Sequence, residues 1–183
     1  MMICLLILAS SLILILTLIN MDQYKFWKQA KIHEGVRRKV YFDTTGNRTI
    51  GVGFNLERKD AERILRSVGA NYQDVVRGEY ELSKHQMRLL FEHDLKTVEN
   101  QARRAISNYD ELGDVRQRVV CDMLFNLGMT GFLRFKQTRQ HIEANEWRSA
   151  AEDMLQSKWA RQVGGRAKNL ARMMETGEDI YEL

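Results

Sequence analysis

The 183-residue chain has no proline and only two cysteines. The lack of proline excludes proline-rich linkers and collagen-like segments and favours a helical chain. Two cysteines are too few for a disulfide scaffold or a four-cysteine zinc site. Charge is absent from residues 1–21, so all 28 Lys+Arg and all 24 Asp+Glu lie in the rest of the chain. That charge-rich but still apolar remainder is typical of a globular domain rather than a disordered one.

The first 19 residues, MMICLLILASSLILILTLI, are apolar except for Ser10, Ser11 and Thr17. As a helix rising about 1.5 Å per residue, this run would span close to 30 Å, the thickness of a bilayer core. No Lys or Arg precedes it and no small-residue cleavage site follows it, which argues against a signal peptide. We therefore predict a membrane anchor at residues 1–20, followed by one domain at residues 21–183. The alternative is that translation starts at Met21 and no anchor exists.

The pattern after residue 21 predicts an α+β fold. A helix that Asp22 can cap should stop near Gly35. Residues 39–56 are the one strand-like stretch, with Gly46-Asn47 as the turn of a hairpin. Everything after it has the spacing of amphipathic helices, including a long helix from Ser83 and an apolar helix that Gly128 ends. We expect a small lobe with one hairpin, a long connecting helix and a larger helical lobe.

Three side chains around this hairpin could carry chemistry. Glu34 lies at the C-terminal end of the first helix, where partial negative charge favours a protonated carboxyl group suited to act as a general acid. Asp43 follows the first strand, and Thr49 lies on the returning strand. An acid, a base and a hydroxyl that orients water are the equipment of an inverting glycosidase. By spacing alone the pattern also fits solvated carboxylates at a helix end and a hairpin.

The run from Ile32 to Leu56, IHEGVRRKVYFDTTGNRTIGVGFNL, contains Glu-Gly, then Tyr-x-Asp-x-x-Gly, then Thr-Ile-Gly-x-Gly. This series closely resembles the active-site segment of phage-type lysozymes, the endolysin family that includes the T-even branch. The resemblance extends over essentially the whole chain after residue 20. Its downstream parts are Phe125-Asn126-Leu127-Gly128, Ser157-Lys158-Trp159, Arg166-Ala167 and Thr176-Gly177.

The resemblance implies a role for each matching residue. It makes Glu34 the acid that protonates the glycosidic oxygen, Asp43 the carboxylate that activates or stabilises attack, and Thr49 the residue that holds the attacking water. It also implies that Arg166 contacts the catalytic glutamate across the interface between the lobes. The positions it implies in the saccharide-binding cleft are Leu56, Phe125, Thr138 and Asp153.

Several residues depart from the family pattern. Phe54 replaces a histidine that forms an ion pair in the T-even branch, so we expect an aromatic side chain to pack there instead. Asn126, a supporting residue near the catalytic glutamate, replaces a glutamine and shortens that contact by one methylene. His33 replaces an aspartate directly before the acid. None of these changes removes Glu34, Asp43 or Thr49.

The resemblance implies an inverting hydrolase for the β-1,4 bond between N-acetylmuramic acid and N-acetylglucosamine in bacterial peptidoglycan. It would work without a metal or cofactor, as a monomer, in host cell lysis. It would be made in the bacterial cytoplasm and act in the periplasm and wall, with residues 1–20 associating with the inner membrane. One alternative is an inactive wall-binding or membrane-anchored protein. The other is a nucleic-acid binder using the net +5 of residues 132–172, but no groove-reading motif supports it.

Overall fold

The computed structural model describes residues 21–43 and 46–181. The predicted anchor at residues 1–20 lies outside this range. Within the range, no helix is both long and apolar enough to cross a bilayer. The described chain is mostly helical with one small antiparallel sheet, which confirms the predicted α+β class.

The described chain divides into two compact units. We call residues 23–101 with Tyr181 the sheet unit, and residues 21–22 with 102–180 the helical unit. The sheet unit holds α1 (Gln23–Glu34), β1 (Arg37–Phe42), β2 (Arg48–Gly51), β3 (Phe54–Asn55), α2 (Ala61–Ser67) and α3 (Tyr72–Val76). The long helix α4 (Lys84–Ala105) contributes residues to both units.

The turn from α1 into the sheet depends on Gly35. Its backbone has φ 71°, a left-handed conformation that glycine adopts without steric strain. Its N–H donates to the Lys31 carbonyl at 3.1 Å, which closes the last turn of α1. The helix therefore ends where the sequence predicts, and β1 begins two residues later.

The sheet has a third strand beyond the expected hairpin. Strands β1 and β2 pair antiparallel, with Tyr41 opposite Thr49, and β2 pairs with β3, with Ile50 opposite Phe54. The reversal between β2 and β3 uses Gly53, whose φ is 76°. The alternation of Gly51 and Gly53 with apolar residues is typical of a bend, but a two-residue strand is too short to leave an alternating pattern.

Phe54 packs as an aromatic core residue in place of the family's histidine, as predicted. It is 2% exposed, and the Arg58 guanidinium lies 5.2 Å from the centre of its ring. The buried cluster around it consists of Ile50, Leu56, Ala61, Ile64, Leu65, Ala70, Val75, Leu82, Met87 and Leu90.

The helical unit contains a 3₁₀ turn (Tyr109–Glu111), α5 (Gly113–Phe132), α6 (Lys136–Glu143), α7 (Trp147–Gln156), α8 (Lys158–Val163) and α9 (Gly165–Thr176). Gly128 interrupts α5 with φ 64° and ψ 169°, so the predicted helix end is present and a short helical piece follows it. The bounds of helix α6 were not predicted. The helix buries only Thr138 and Ile142, too few residues to mark a periodic pattern in a polar segment.

Candidate active site

Glu34 is the last residue of α1 and is half-buried. The residue before it, His33, makes a hydrogen bond through Nε2 with the Tyr181 hydroxyl at 2.7 Å. The two rings also meet edge to face, with centroids 5.5 Å apart. Tyr181 therefore holds the final turn of α1, the turn that carries Glu34. No local sequence signal could reveal a contact between residues 148 positions apart.

Asp43 is held by Asn47, on the far side of the hairpin turn. The Asn47 backbone N–H donates to Asp43 Oδ1 at 2.8 Å, and the Asn47 side-chain amide donates to Oδ2 at 3.3 Å. The Asp43 N–H in turn donates to the Asn47 carbonyl at 2.9 Å. Both carboxylate oxygens thus receive a donor from one residue, which fixes the direction of the carboxylate.

Thr49 is bound to the same residue. Its hydroxyl donates to the Asn47 carbonyl at 3.2 Å, and the residue is only 3% exposed. Asn47 therefore links Asp43 and Thr49 through its carbonyl oxygen. In the sequence Asn47 was recognised as a turn residue only, because turn chemistry alone explains an asparagine after glycine.

Tyr41 lies within range of the charges of both predicted carboxylates. Burial raises its pKa above the ordinary value of 10.0, and the negative charges of Glu34 and Asp43 raise it further. The Arg37 cation and a hydrogen bond with the Gly53 backbone lower the pKa of Tyr41, but by less than these effects raise it. Coulomb interactions weaken with distance, so both carboxylates lie near this phenol. Tyr41 is also the cross-strand partner of Thr49, which brings the three predicted catalytic residues together around it.

Leu56 is almost fully buried in the sheet unit. The resemblance implied that its side chain lines the saccharide-binding cleft, whereas Leu56 is 1% exposed and belongs to the core of the sheet unit. Its N–H donates to the Arg48 carbonyl at 2.8 Å, which continues the pairing of the sheet. A saccharide contact of Leu56 stays a prediction.

A cavity of about 630 Å³ lies in the helical unit. It contains two of the predicted substrate-binding residues, Thr138 on α6 and Asp153 on α7. Phe135 and Trp159 form an edge-to-face pair in its wall, with centroids 6.0 Å apart. Apolar walls with a few polar groups are typical of a ligand-binding cavity. Its basic lining residues are Arg134, Lys136 and Lys158.

A histidine that sequence reasoning did not connect with the site lies close to Asp153. His141 Nε2 lies 3.6 Å from Asp153 Oδ2, and His141 Nδ1 lies 2.5 Å from Glu146 Oε2. The imidazole is therefore placed between two carboxylates, one of which borders the cavity. The contact could not be predicted from the sequence, because it depends on how helices α6 and α7 pack together.

The two supporting residues have partners within the helical unit. Asn126 Oδ1 accepts a hydrogen bond from Trp159 Nε1 at 2.8 Å. Arg166 Nε donates to Asp122 Oδ1 at 2.8 Å, and the Asp122 side chain is 1% exposed. The implied contacts of Asn126 and Arg166 with Glu34 stay predictions, as does a saccharide contact of the half-buried Phe125. Across residues 21–43 and 46–181, no three His, Cys, Asp or Glu side chains cluster as metal ligands would.

This chain belongs to the phage lysozyme family, whose model matches residues 31–175. Among its relatives is a probable T4-type lysozyme 2 of Dictyostelium discoideum, 30% identical over 156 residues, which are 80% of this chain and 91% of the relative. A probable T4-type lysozyme 1 of the same organism is 29% identical with the same coverage. The pre-baseplate central spike protein Gp5 of Enterobacteria phage T4 is 27% identical over 79% of this chain but only 26% of its own length. The predicted family is thus confirmed, and these relatives support a lysozyme-type function.

Proposed function

We propose that the protein is a glycoside hydrolase that cleaves the β-1,4 bond between N-acetylmuramic acid and N-acetylglucosamine in bacterial peptidoglycan. The observation that carries the proposal is the bonding of both Asp43 and Thr49 to Asn47, beside Tyr41, the cross-strand partner of Thr49, whose pKa the charges of Glu34 and Asp43 help to raise. Inverting glycoside hydrolysis requires two carboxyl groups and a positioned water. Glu34 and Asp43 supply the carboxyl groups, and the Thr49 hydroxyl can position the water. Family membership and the two T4-type lysozyme relatives support the choice of substrate.

In this mechanism Glu34 gives its proton to the glycosidic oxygen as the bond to the anomeric carbon breaks. A water held by the Thr49 hydroxyl attacks the opposite face of that carbon and passes its proton to Asp43, so the product has inverted configuration. Asn47 fixes the Asp43 carboxylate through both oxygens. The Asn47 carbonyl also accepts a hydrogen bond from the Thr49 hydroxyl, which leaves the lone pairs of the Thr49 oxygen to accept a hydrogen bond from water.

The cavity in the helical unit is proposed to bind a further part of the wall polymer, with the half-buried Asp153 and the small exposed part of Thr138 in its lining. The net charge of +5 over residues 132–172 would attract the anionic wall over a longer range. Because salt screens such attraction, activity on intact walls should fall as ionic strength rises, whereas cleavage of a short soluble fragment should change little.

The proposal is tested by Glu34→Gln and Asp43→Asn on purified peptidoglycan, with Glu62→Gln as the matched control. Glu62 is exposed on α2 and pairs with Arg66. We expect Glu34→Gln to reduce release of reducing ends by about 10²–10⁴-fold, because an amide cannot donate an acidic proton. Asp43→Asn should be severely impaired, the control should match the parent, and NMR of the first product should show inversion. A Glu34→Gln variant as active as the parent would refute the acid assignment.

The same assay separates the enzyme from an inactive wall-binding protein. A clear band for the parent chain in a peptidoglycan zymogram, absent for Glu34→Gln, excludes the binding-only alternative. Binding of the parent chain to walls without any clearing would support it.

Host cell lysis from a membrane-anchored state is part of the proposal. The apolar composition of residues 1–20 supports an anchor at the inner membrane with action on the wall. Membrane fractionation of the natural host and N-terminal sequencing of the protein made there test it. A mature protein that starts at Met21 and stays in the soluble fraction would refute the anchor and leave the hydrolase proposal standing.

A further inference from the structure

One side of α1 is basic, with half-buried lysines beside two exposed side chains. Tyr24, Lys28 and Lys31 recur at i, i+4 and i+7, with Lys25 and Ile32 beside them, so the five side chains share one side of the helix. Tyr24 is 53% exposed and Ile32 is 60% exposed. We call these five residues the lysine face. The residues of α1 that are buried in the sheet unit are Phe26, Gln29 and Ala30, on the opposite side.

Two lysines of the lysine face lie near aromatic rings. Lys28 Nζ lies 4.7 Å from the centre of the Tyr24 ring, and Lys31 Nζ lies 5.4 Å from the centre of the Trp27 ring. Across the part of the chain that the structure describes, neither Lys28 nor Lys31 forms an ion pair with a carboxylate. The face contains no acidic residue. It therefore presents positive charge next to exposed aromatic and aliphatic groups.

We propose that the lysine face binds the surface of an anionic phospholipid bilayer. Helix α1 begins at Gln23, only a few residues after the apolar run of residues 1–19. Lysines that directly follow an apolar segment of bilayer length meet the headgroup region, where the anionic surface attracts them. Tyrosine and isoleucine side chains partition into the same interface. The charge, the aromatic residue and the position in the chain all favour lipid as the occupant of this face.

The expected strength follows from the number of lysines. One basic residue near an anionic membrane surface contributes about a fivefold gain in partitioning. Lys28 and Lys31 together therefore favour the membrane-bound orientation of α1 about 25-fold over an uncharged pair. This binding is separate from the proposed hydrolysis, because it involves neither Glu34 nor the sheet.

The test uses the full chain with Cys4→Ser and Ile32→Cys, mixed with vesicles of phosphatidylcholine alone or with added phosphatidylglycerol. The rate at which a water-soluble maleimide labels position 32 reports whether the lysine face is covered. Cys121 is buried and does not compete for label. The matched control is Leu155→Cys, in the helical unit, where the native side chain is 45% exposed.

We expect labelling at position 32 to be at least several-fold slower on anionic than on neutral vesicles, and labelling at position 155 to be unchanged. High salt, or replacement of Lys25, Lys28 and Lys31 by Gln, should restore the fast rate. Equal rates on both vesicles, or protection that survives the glutamine replacements, would overturn the proposal. Equal protection by soluble polyphosphate on neutral vesicles would also overturn it, in favour of a polymeric anion. Loss of wall hydrolysis in a parallel assay would affect the proposed function alone.

Discussion

The hydrogen bond from the Trp159 indole to Asn126 gives a sharp test of how Asn126 acts. Trp159 is 4% exposed, and its Nε1 donates to Asn126 Oδ1 at 2.8 Å. Asn126→Ala removes the acceptor and leaves a buried N–H without it, which costs about 1–2 kcal/mol. For a domain of this size that cost corresponds to a melting temperature about 2–8 °C lower.

The assay is a double-mutant cycle with Trp159→Phe, which removes the indole N–H. If the hydrogen bond is the main effect, Asn126→Ala should cost about 1 kcal/mol less in the phenylalanine background, measured by urea unfolding followed by circular dichroism. The cycle cancels the cavity that phenylalanine leaves and the change in helix propensity at position 126. The same cost in both backgrounds would refute the reasoning.

Peptidoglycan hydrolysis by the same four proteins separates the two roles of Asn126. If Asn126 acts by holding Trp159 in the cavity wall, its replacement should reduce activity with Trp159 present and have little further effect with Trp159→Phe. If it acts directly on the catalytic glutamate, as the resemblance implied, the loss of activity should be similar in both backgrounds.

Two further predictions concern the sheet unit. Arg58→Ala should destabilise the protein by about 2 kcal/mol in urea unfolding, after allowance for solvent screening, because Arg58 donates to Asp94 at 2.5 Å and to Asp60 at 2.6 Å. The Arg58 hydrogen bond lowers the pKa of Asp60 below its ordinary value of 3.8. The difference in free energy of unfolding between the parent and Arg58→Ala should therefore shrink as pH falls below 3.8 and through the lowered pKa of folded Asp60. A difference that grows in acid would contradict this. Glu34→Gln should lower the pKa of Tyr41, measured by NMR of labelled tyrosine with Tyr41→Phe for assignment, because it removes one of the two charges that raise it. The folded pKa of Tyr41 is raised above its ordinary value of 10.0. The free energy of unfolding of the parent should therefore fall more than that of Tyr41→Phe as pH rises from 10.0 through the raised folded pKa. An unchanged Tyr41 pKa in Glu34→Gln would contradict the placement of Glu34.

The sequence was sufficient for the elements whose signals are local. The end of α1 at Gly35, the hairpin turn at Gly46-Asn47 and the break at Gly128 each depend on glycine or turn chemistry, which a short window of sequence reveals. The bounds of helix α6 and the presence of strand β3 could not be predicted in this way. The helix buries too few residues to show periodicity, and the strand has only two residues.

The candidate site was predictable in its charged residues but not in the contacts that orient them. Glu34, Asp43 and Thr49 fall in one long motif. Tertiary structure brings further residues against the site, namely Asn47, His141 and Tyr181. In the sequence alone, each of them is adequately explained as a turn, surface or tail residue. The burial of Leu56 was not predictable for the same reason, because a motif position does not say whether a side chain faces outward or into a core.

The division of α4 between the two units bears on how the protein unfolds. Residues 84–101 belong to the sheet unit and residues 102–105 to the helical unit. If one unit opens before the other, the backbone hydrogen bonds of α4 should lose protection in two stages rather than one. Amide hydrogen exchange along this single helix would then show a step between Gln101 and Ala102, and a uniform rate would indicate that both units melt as one cooperative body.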